Sequence, residues 1–405
     1  MAEPAVLPDL KSLIGFDPTD PGFRADPYPH YARLRRETPV LRSPLGFWLL
    51  TRYSDCFQVL QDDRFGYPEG DQGDSFFVAG FDKQRNFLFF MNPPDHTRMR
   101  RTVREGLTPK VVHALRPYVQ RVVDQLLDQA LADGTEFDLV SELAHPLPFG
   151  VICELLAVPE SDRPMIHRLA QEYLAGIGAK FSVTAEQEVA RDIALEELND
   201  YFGALAAERH TTPGHDVLTH LVKSREAGGL SEDELLGTCV LLFVAGHGTT
   251  TNMISNGALA LMRNPSQLAR FRSEPELESN AVEELLRYDV STHQSFRIAR
   301  TDVELPDGQV IRQGEQALVV RAAANRDPAV FDDPDRLDLG RKDIRHLSFG
   351  TGRHICLGSA LARMQIRVAL QTLFDRAPAL RQATTDLEYY PSLLQRGPRF
   401  LPAVP

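Results

Sequence analysis

The spacing of apolar positions predicts a chain built mostly of helices. Residues 110–132 and 186–208 repeat apolar side chains near the 3.6 period, and 359–376 does so again. Runs that read as strands are short: 40–42, 47–51, 302–305 and 316–321. One segment is apolar nearly all round. Ser231 and Glu234 frame a capping box, and apolar character then continues through LLGTCVLLFVAG to about Met262, where Asn264-Pro265 stops it. A long helix without a polar face belongs in the middle of a protein. Gly246 and Gly248 stand at its centre, each costing about 1 kcal/mol relative to Ala, so both need a reason. The least regular stretch, 65–90, mixes glycines with aromatics and reads as a long loop of the kind that carries function. The expected class is mainly α with small β-sheets.

Composition narrows the field. With 405 residues, 43% hydrophobic and 25% charged, the chain is globular in type, which excludes collagen-like, low-complexity and disordered classes. A net charge of -12, from 44 basic and 56 acidic residues, argues against nucleic acid as a partner. No uninterrupted apolar run reaches about 18 residues, so no membrane span is expected. The start, MAEPAVLPDLKSLIGFDP, lacks the basic and apolar regions of a signal peptide, which reads as cytoplasmic. At roughly 150 residues per domain the length suggests two or three. No repeat or linker divides it, however, and the reading is a single domain over 1–405. Cys56, Cys153, Cys239 and Cys356 stand far apart, which fits neither a disulfide framework nor a zinc site.

One of these cysteines has distinctive company. FGTGRHICLG (349–358) runs directly into the helical segment SALARMQIRVAL. Cys356 would lie just before a helix N-terminus, where backbone N–H groups and the helix dipole favour a thiolate. Gly350, Gly352 and Gly358 would let backbone approach the sulfur or a flat cofactor closely. The alternative is a buried cysteine in a glycine-rich turn.

The ten-residue pattern resembles the haem-ligand loop of the cytochromes P-450, the haem-thiolate monooxygenases of soluble bacterial type. Other stretches resemble the same family in order. They are DPYPHYARLR (26–35), NPPDHTRMRR (92–101), AGHGTT (245–250), the Glu284 and Arg287 pair, and NRDP (325–328) with Phe331 and Pro334. The likeness covers about 20–405. It implies one P-450-type fold, with haem b between the long central helix and the cysteine loop.

The resemblance also implies roles. Cys356 would be the axial ligand, a thiolate that donates electron density to iron and favours O–O cleavage. Phe349, Gly350 and Gly358 would shape the loop around the cofactor. His96 and Arg100, four apart on one helix face, would hold propionates together with Arg297 and His354. Glu284, Arg287 and, as third member, Arg336 would form a buried network locking the loop. Ala245, Gly246, Gly248 and Thr249 would form the oxygen-binding centre, with Thr249 opening the helix and helping deliver protons. Phe243, Val244, His293, Gln294, Leu393 and Leu394 would line the substrate pocket, together with the 65–90 loop.

The sequence departs from the family at one point. The residue before the threonine is usually Asp or Glu, a natural proton relay, and here it is Gly248. Either another group relays protons, or the reaction needs fewer of them, or glycine makes room for a bulky substrate. The expected enzyme inserts one oxygen atom from O2 into a small or medium organic substrate. Two alternatives stay open: a haem-thiolate oxidase or peroxygenase doing oxidative coupling, and a haem-thiolate ligand-binding or sensor protein. A monomer is expected. Ferredoxin or flavodoxin with its reductase would supply electrons, and NAD(P)H would act only through them. Arg98, Arg101, Arg104, Arg353 and Arg363 would form the dock.

Overall fold

The computed structural model describes residues 10–69, 80–178, 183–390, 392 and 394–405. It falls into two compact units, each assembled from separated segments. The first comprises Met1–Gly66, Asn256–Ile355 and Thr384–Leu401; the second comprises Tyr67–Ser255, Cys356–Ala383 and Pro402–Pro405. The mainly helical class is what the structure shows, with small sheets.

The first unit is organised by a five-stranded sheet in the order Val40–Arg42, Phe47–Leu50, Gln316–Val320, Gln294–Ala299, Phe65–Gly66. Phe47–Leu50 pairs in parallel with Gln316–Val320, and the other pairings are antiparallel. Leu49, Leu50, Leu318 and Val319 are fully buried in it. A two-stranded ribbon joins Val303–Glu304 to Val310–Ile311. Strand Gln294–Ala299 was not expected from the sequence. It is almost entirely buried, so it lacks the in-out alternation that marks a half-exposed strand.

The second unit is helical. The central helix spans Glu232–Arg263, and its capping box forms as predicted: Ser231 N donates to Glu234 Oε2 (2.9 Å) and Glu234 N to Ser231 Oγ (3.2 Å). The 186–208 pattern lies within the helix Ala185–Thr211, and the 359–376 pattern is the helix Ser359–Arg376. The 110–132 pattern divides into Pro109–Ala114 and Arg116–Ala130, because Pro117 starts a helix but cannot continue one. Ser359–Arg376 is tied to Arg116–Ala130: Gln120 Nε2 donates to Thr372 Oγ1 (3.0 Å), and Arg376 pairs with Asp128 (2.6 Å). A three-stranded sheet of Phe137–Asp138, Pro402–Val404 and Arg381–Gln382 completes the unit. Among the described residues no helix is long and apolar enough to cross a membrane.

Candidate active site

The cysteine loop is set by glycine conformation. Gly350 and Gly352 both take φ of +68°, a region that L side chains rarely adopt. A Cβ on Gly352 would stand 2.6 Å from the Leu60 carbonyl oxygen, so no side chain fits there. The approach to the loop is clamped by one amide. Asn325 Oδ1 accepts from Leu347 N (2.7 Å) and Asn325 Nδ2 donates to Ser348 Oγ (2.9 Å). Ser348 Oγ donates to the Leu286 carbonyl (2.7 Å), which links the loop to the helix Glu278–Tyr288. Phe349 and His354 lie in this first unit.

That helix carries the buried ion pair. Glu284 and Arg287 are fully buried and meet through two parallel bonds of 2.7 Å, Nε to Oε2 and Nη2 to Oε1. Arg287 Nη1 donates to the Asn325 and Pro334 carbonyls, and Nη2 to that of Arg336. All five of its N–H donors are thereby used. The expected third member is corrected by the structure. Arg336 supplies only its carbonyl, while its guanidinium is exposed and pairs with Asp333 and Asp338. The second cation on Glu284 is Arg341, whose Nε lies 3.2 Å from both carboxylate oxygens. Arg341 is the one that can reach, because the chain turns back to Glu284 at Asp338, whose N–H also donates to Oε1 (3.0 Å).

In the second unit Cys356 is the exposed thiol, whereas Cys56, Cys153 and Cys239 are buried. Burial pushes the Cys153 thiol up to about 12 and raises Cys56 and Cys239 strongly, so those three stay neutral and pack. Helix Ser359–Arg376 begins three residues beyond Cys356, with Gly358 as its N-cap. Helix Asp95–Gly106 places His96 (2% exposed) and the half-buried Arg100 one turn apart. Burial lowers the Arg100 pKa, and the field of Cys356 opposes that shift, so this cation senses the sulfur. Asn92 anchors the start of this segment by bonding both the N–H (3.0 Å) and the carbonyl (2.8 Å) of Tyr67. Arg98 is engaged by Glu234 and the Gly229 carbonyl, so its charge is spent inside the unit.

The central helix presents two different faces. Thr249 Oγ1 donates to the Ala245 carbonyl (3.1 Å), and Thr250 and Thr251 likewise reach back four residues. Ala245 is exposed at mid-helix, and a Cβ on Gly248 would meet no heavy atom within 4 Å. Gly246 has a packing reason: a Cβ there would stand 3.0 Å from Ile152 Cδ1. His247 points into the protein. Its Nδ1 lies 2.8 Å from the Phe243 carbonyl, and its ring packs on Phe149 and Phe243.

The expected pocket residues that the structure describes are buried or half-buried. Phe243 is fully buried against Phe149 and Phe202, and Val244 is buried beside it. His293 and Gln294 are buried in the first unit, where His293 Nδ1 meets Tyr31 Oη at 3.1 Å. Leu394 is half-buried and accepts from His293 N, and Leu393 lies outside the described residues. Arg297 is buried on strand Gln294–Ala299, donating to the Phe296 carbonyl.

Burial holds His293 neutral, with its pKa lowered to about 3 from 6.5. The unfolded chain therefore binds the extra proton first, and stability falls as pH drops below 6.5, down to about 3. The expected slope from this group approaches about 1.4 kcal/mol per pH unit in that window. Chemical denaturation of wild type and His293→Phe at pH 7 and pH 5 checks this. The variant should lose less stability on acidification, and equal losses would assign the acid sensitivity elsewhere.

A haem-thiolate site needs a cysteine sulfur, cations or donors for the propionates and room beside the ring. Exposed Cys356, Arg100 within its field, and the Ala245–Gly248 face meet those needs in the second unit. Comparison with known proteins decides the family. A family model described as Cytochrome P450 matches residues 185–377. The monooxygenase PikC of Streptomyces venezuelae is 40% identical over 99% of this chain and 94% of its own. The chain belongs to the cytochrome P450 family. Among solved structures, P450BioI in complex with an acyl carrier protein bearing hexadec-9Z-enoic acid is 35% identical. It covers 95% of this chain and 98% of its own, with a TM-score of 0.87. Myxobacterial CYP267B1 in complex with myristic acid is 36% identical, with the same coverage and the same TM-score. This P450 is a monooxygenase that carries haem b on a cysteine thiolate and uses O2, with electrons supplied by other proteins. When bound, the haem supplies the activation of O2 for insertion of one oxygen atom into an organic molecule.

Proposed function

We propose that Cys356 is the haem ligand and that this P450 oxygenates an apolar organic molecule with a long hydrocarbon portion. The exposure of Cys356, against three sealed cysteines, carries the assignment. Arg100, His96, Arg297 and His354 serve the propionates, with Arg100 the cation whose field is already coupled to the sulfur. Phe349, Gly350 and Gly358 give the loop its shape. Two relatives solved with fatty acyl ligands support the substrate class. Myristic acid is the probe: it should shift the ferric haem toward high spin, and turnover under 18O2 should place one labelled oxygen in the product. Failure to shift while other apolar compounds do would reject the fatty acyl class.

Thr249 can release its hydroxyl from the Ala245 carbonyl and hold a proton on the exposed face of the helix. Gly248 offers no acid beside it, yet has space for one. Gly248→Glu should raise product formed per electron pair by about twofold or more, with less peroxide released. Unchanged peroxide release would show that the missing acid does not limit coupling. Gly248 also supports a second reading, a reaction driven by peroxide; turnover with hydrogen peroxide that matches the partner-driven rate would favour it. A ferredoxin or flavodoxin with its reductase is the proposed donor. Arg101 and Arg104 are exposed for docking. Arg98 and Arg353 are spent on Glu234 and Asp63, so the basic surface is smaller than the sequence suggested.

A further inference from the structure

The second unit holds a cluster of imidazoles that the haem chemistry does not use. His145 precedes the helix Pro146–Leu155, and His167 lies on the helix Arg163–Ala175. Their Nε2 atoms stand 3.1 Å apart. Gln171, one turn beyond His167 and exposed, brings its carboxamide to within 3.2 Å of the same His167 nitrogen.

The ring geometry says how these nitrogens are aimed. The two ring centroids are only 4.8 Å apart, with planes at 77°. That is too close for nitrogens facing each other head-on along a line, so the rings lean toward a shared side. Two imidazole nitrogens on one tetrahedral ion, each about 2.0–2.1 Å from it, stand roughly 3.3 Å apart. The observed separation needs only a few tenths of an ångström of adjustment. His145 is held in place by stacking on Phe149 at 13° and by edge contact with His247. Neutral imidazole is the form that binds metal.

The geometry points to a divalent transition-metal site at His145 and His167, distinct from the haem, for a borderline ion such as Zn2+, Ni2+ or Cu2+. Imidazole nitrogen selects those ions over Mg2+ or Ca2+, which prefer oxygen. Among the described residues no cluster of three or more His, Cys, Asp or Glu side chains forms a full chelate. The ion would therefore take two protein nitrogens and complete its shell with water and, after an amide flip, the Gln171 oxygen. Bound there, it would cross-link the helix Arg163–Ala175 to the segment entering Pro146–Leu155. Through His145 it would also abut His247, the neighbour of Gly248.

The test uses haem-loaded protein, CuCl2 with electron paramagnetic resonance, and ZnCl2 with calorimetry. One equivalent should bind in the micromolar range, with a copper signal showing coupling to two nitrogens. A ligand loss should cost at least the roughly 10–100-fold that an outer-shell change costs, so His167→Ala should weaken Zn2+ binding by that factor. Its haem spectrum should stay unchanged. His145→Ala should do the same, and if it fails to fold, His167→Ala on the more exposed helix carries the test. MgCl2 should not compete. Wild type that takes up no stoichiometric Zn2+ or Cu2+, or a folded His167→Ala that binds as tightly as wild type, overturns the site.

Discussion

Arg287→Lys is expected to leave the protein almost without haem and to cost about 3–5 kcal/mol, the penalty for breaking a buried pair. The reason lies in the donor count. Arg287 spends its Nε and both terminal nitrogens on Glu284 and on the carbonyls of Asn325, Pro334 and Arg336. A lysine ammonium has three donors on a point charge and cannot span those acceptors. Asn325 and Leu286 also hold Ser348, so the damage passes directly to the entry of the cysteine loop. Glu284→Gln should be as severe, because it leaves Arg287 and Arg341 buried as uncompensated cations. Arg336→Ala is the discriminating control. Its guanidinium is 58% exposed and only its carbonyl serves the network, so haem content should match wild type. The ratio of haem absorbance to protein, with melting temperature, measures all three. A full complement of haem in Arg287→Lys, or its loss in Arg336→Ala, contradicts the network described.

Cys356→Ser should separate folding from chemistry. The thiol is exposed in the haem-free chain, so the substitution should cost that haem-free form no more than about 0.5 kcal/mol in stability. The hydroxyl has no thiolate to donate to iron, and turnover with reconstituted partners should fall below detection. Cys56→Ser should give the opposite pattern. Cys56 Sγ is fully buried, facing the Leu50 carbonyl at 3.3 Å, so a change there should lower melting temperature and leave the haem spectrum alone. Equal turnover in Cys356→Ser and wild type would remove Cys356 from the reaction.

What the sequence revealed follows from the range of the interactions. The central helix was legible because its capping box and apolar length are local signals, and so was the i,i+3 spacing of Glu284 and Arg287. Arg341 was not, because it reaches Glu284 only through the return of the chain past Asp338. Strand Gln294–Ala299 escaped because burial on both faces erases alternation. The surroundings of His293 and Phe243 were not legible for a related reason: sequence position does not say which way a side chain points. In the structure, Tyr31 holds the first and Phe149 with Phe202 holds the second. The His145–His167 pair carries no sequence signal at a separation of 22 residues.

Cys356 is proposed to present a thiolate to haem iron. The reduced protein under carbon monoxide tests it most directly, because the Soret position of that complex reports the opposite axial ligand. Wild type should show the long-wavelength band of thiolate ligation, and Cys356→Ser should lack it. A wild-type band at the position of nitrogen or neutral-thiol ligation, or a long-wavelength band that survives in Cys356→Ser, would contradict it.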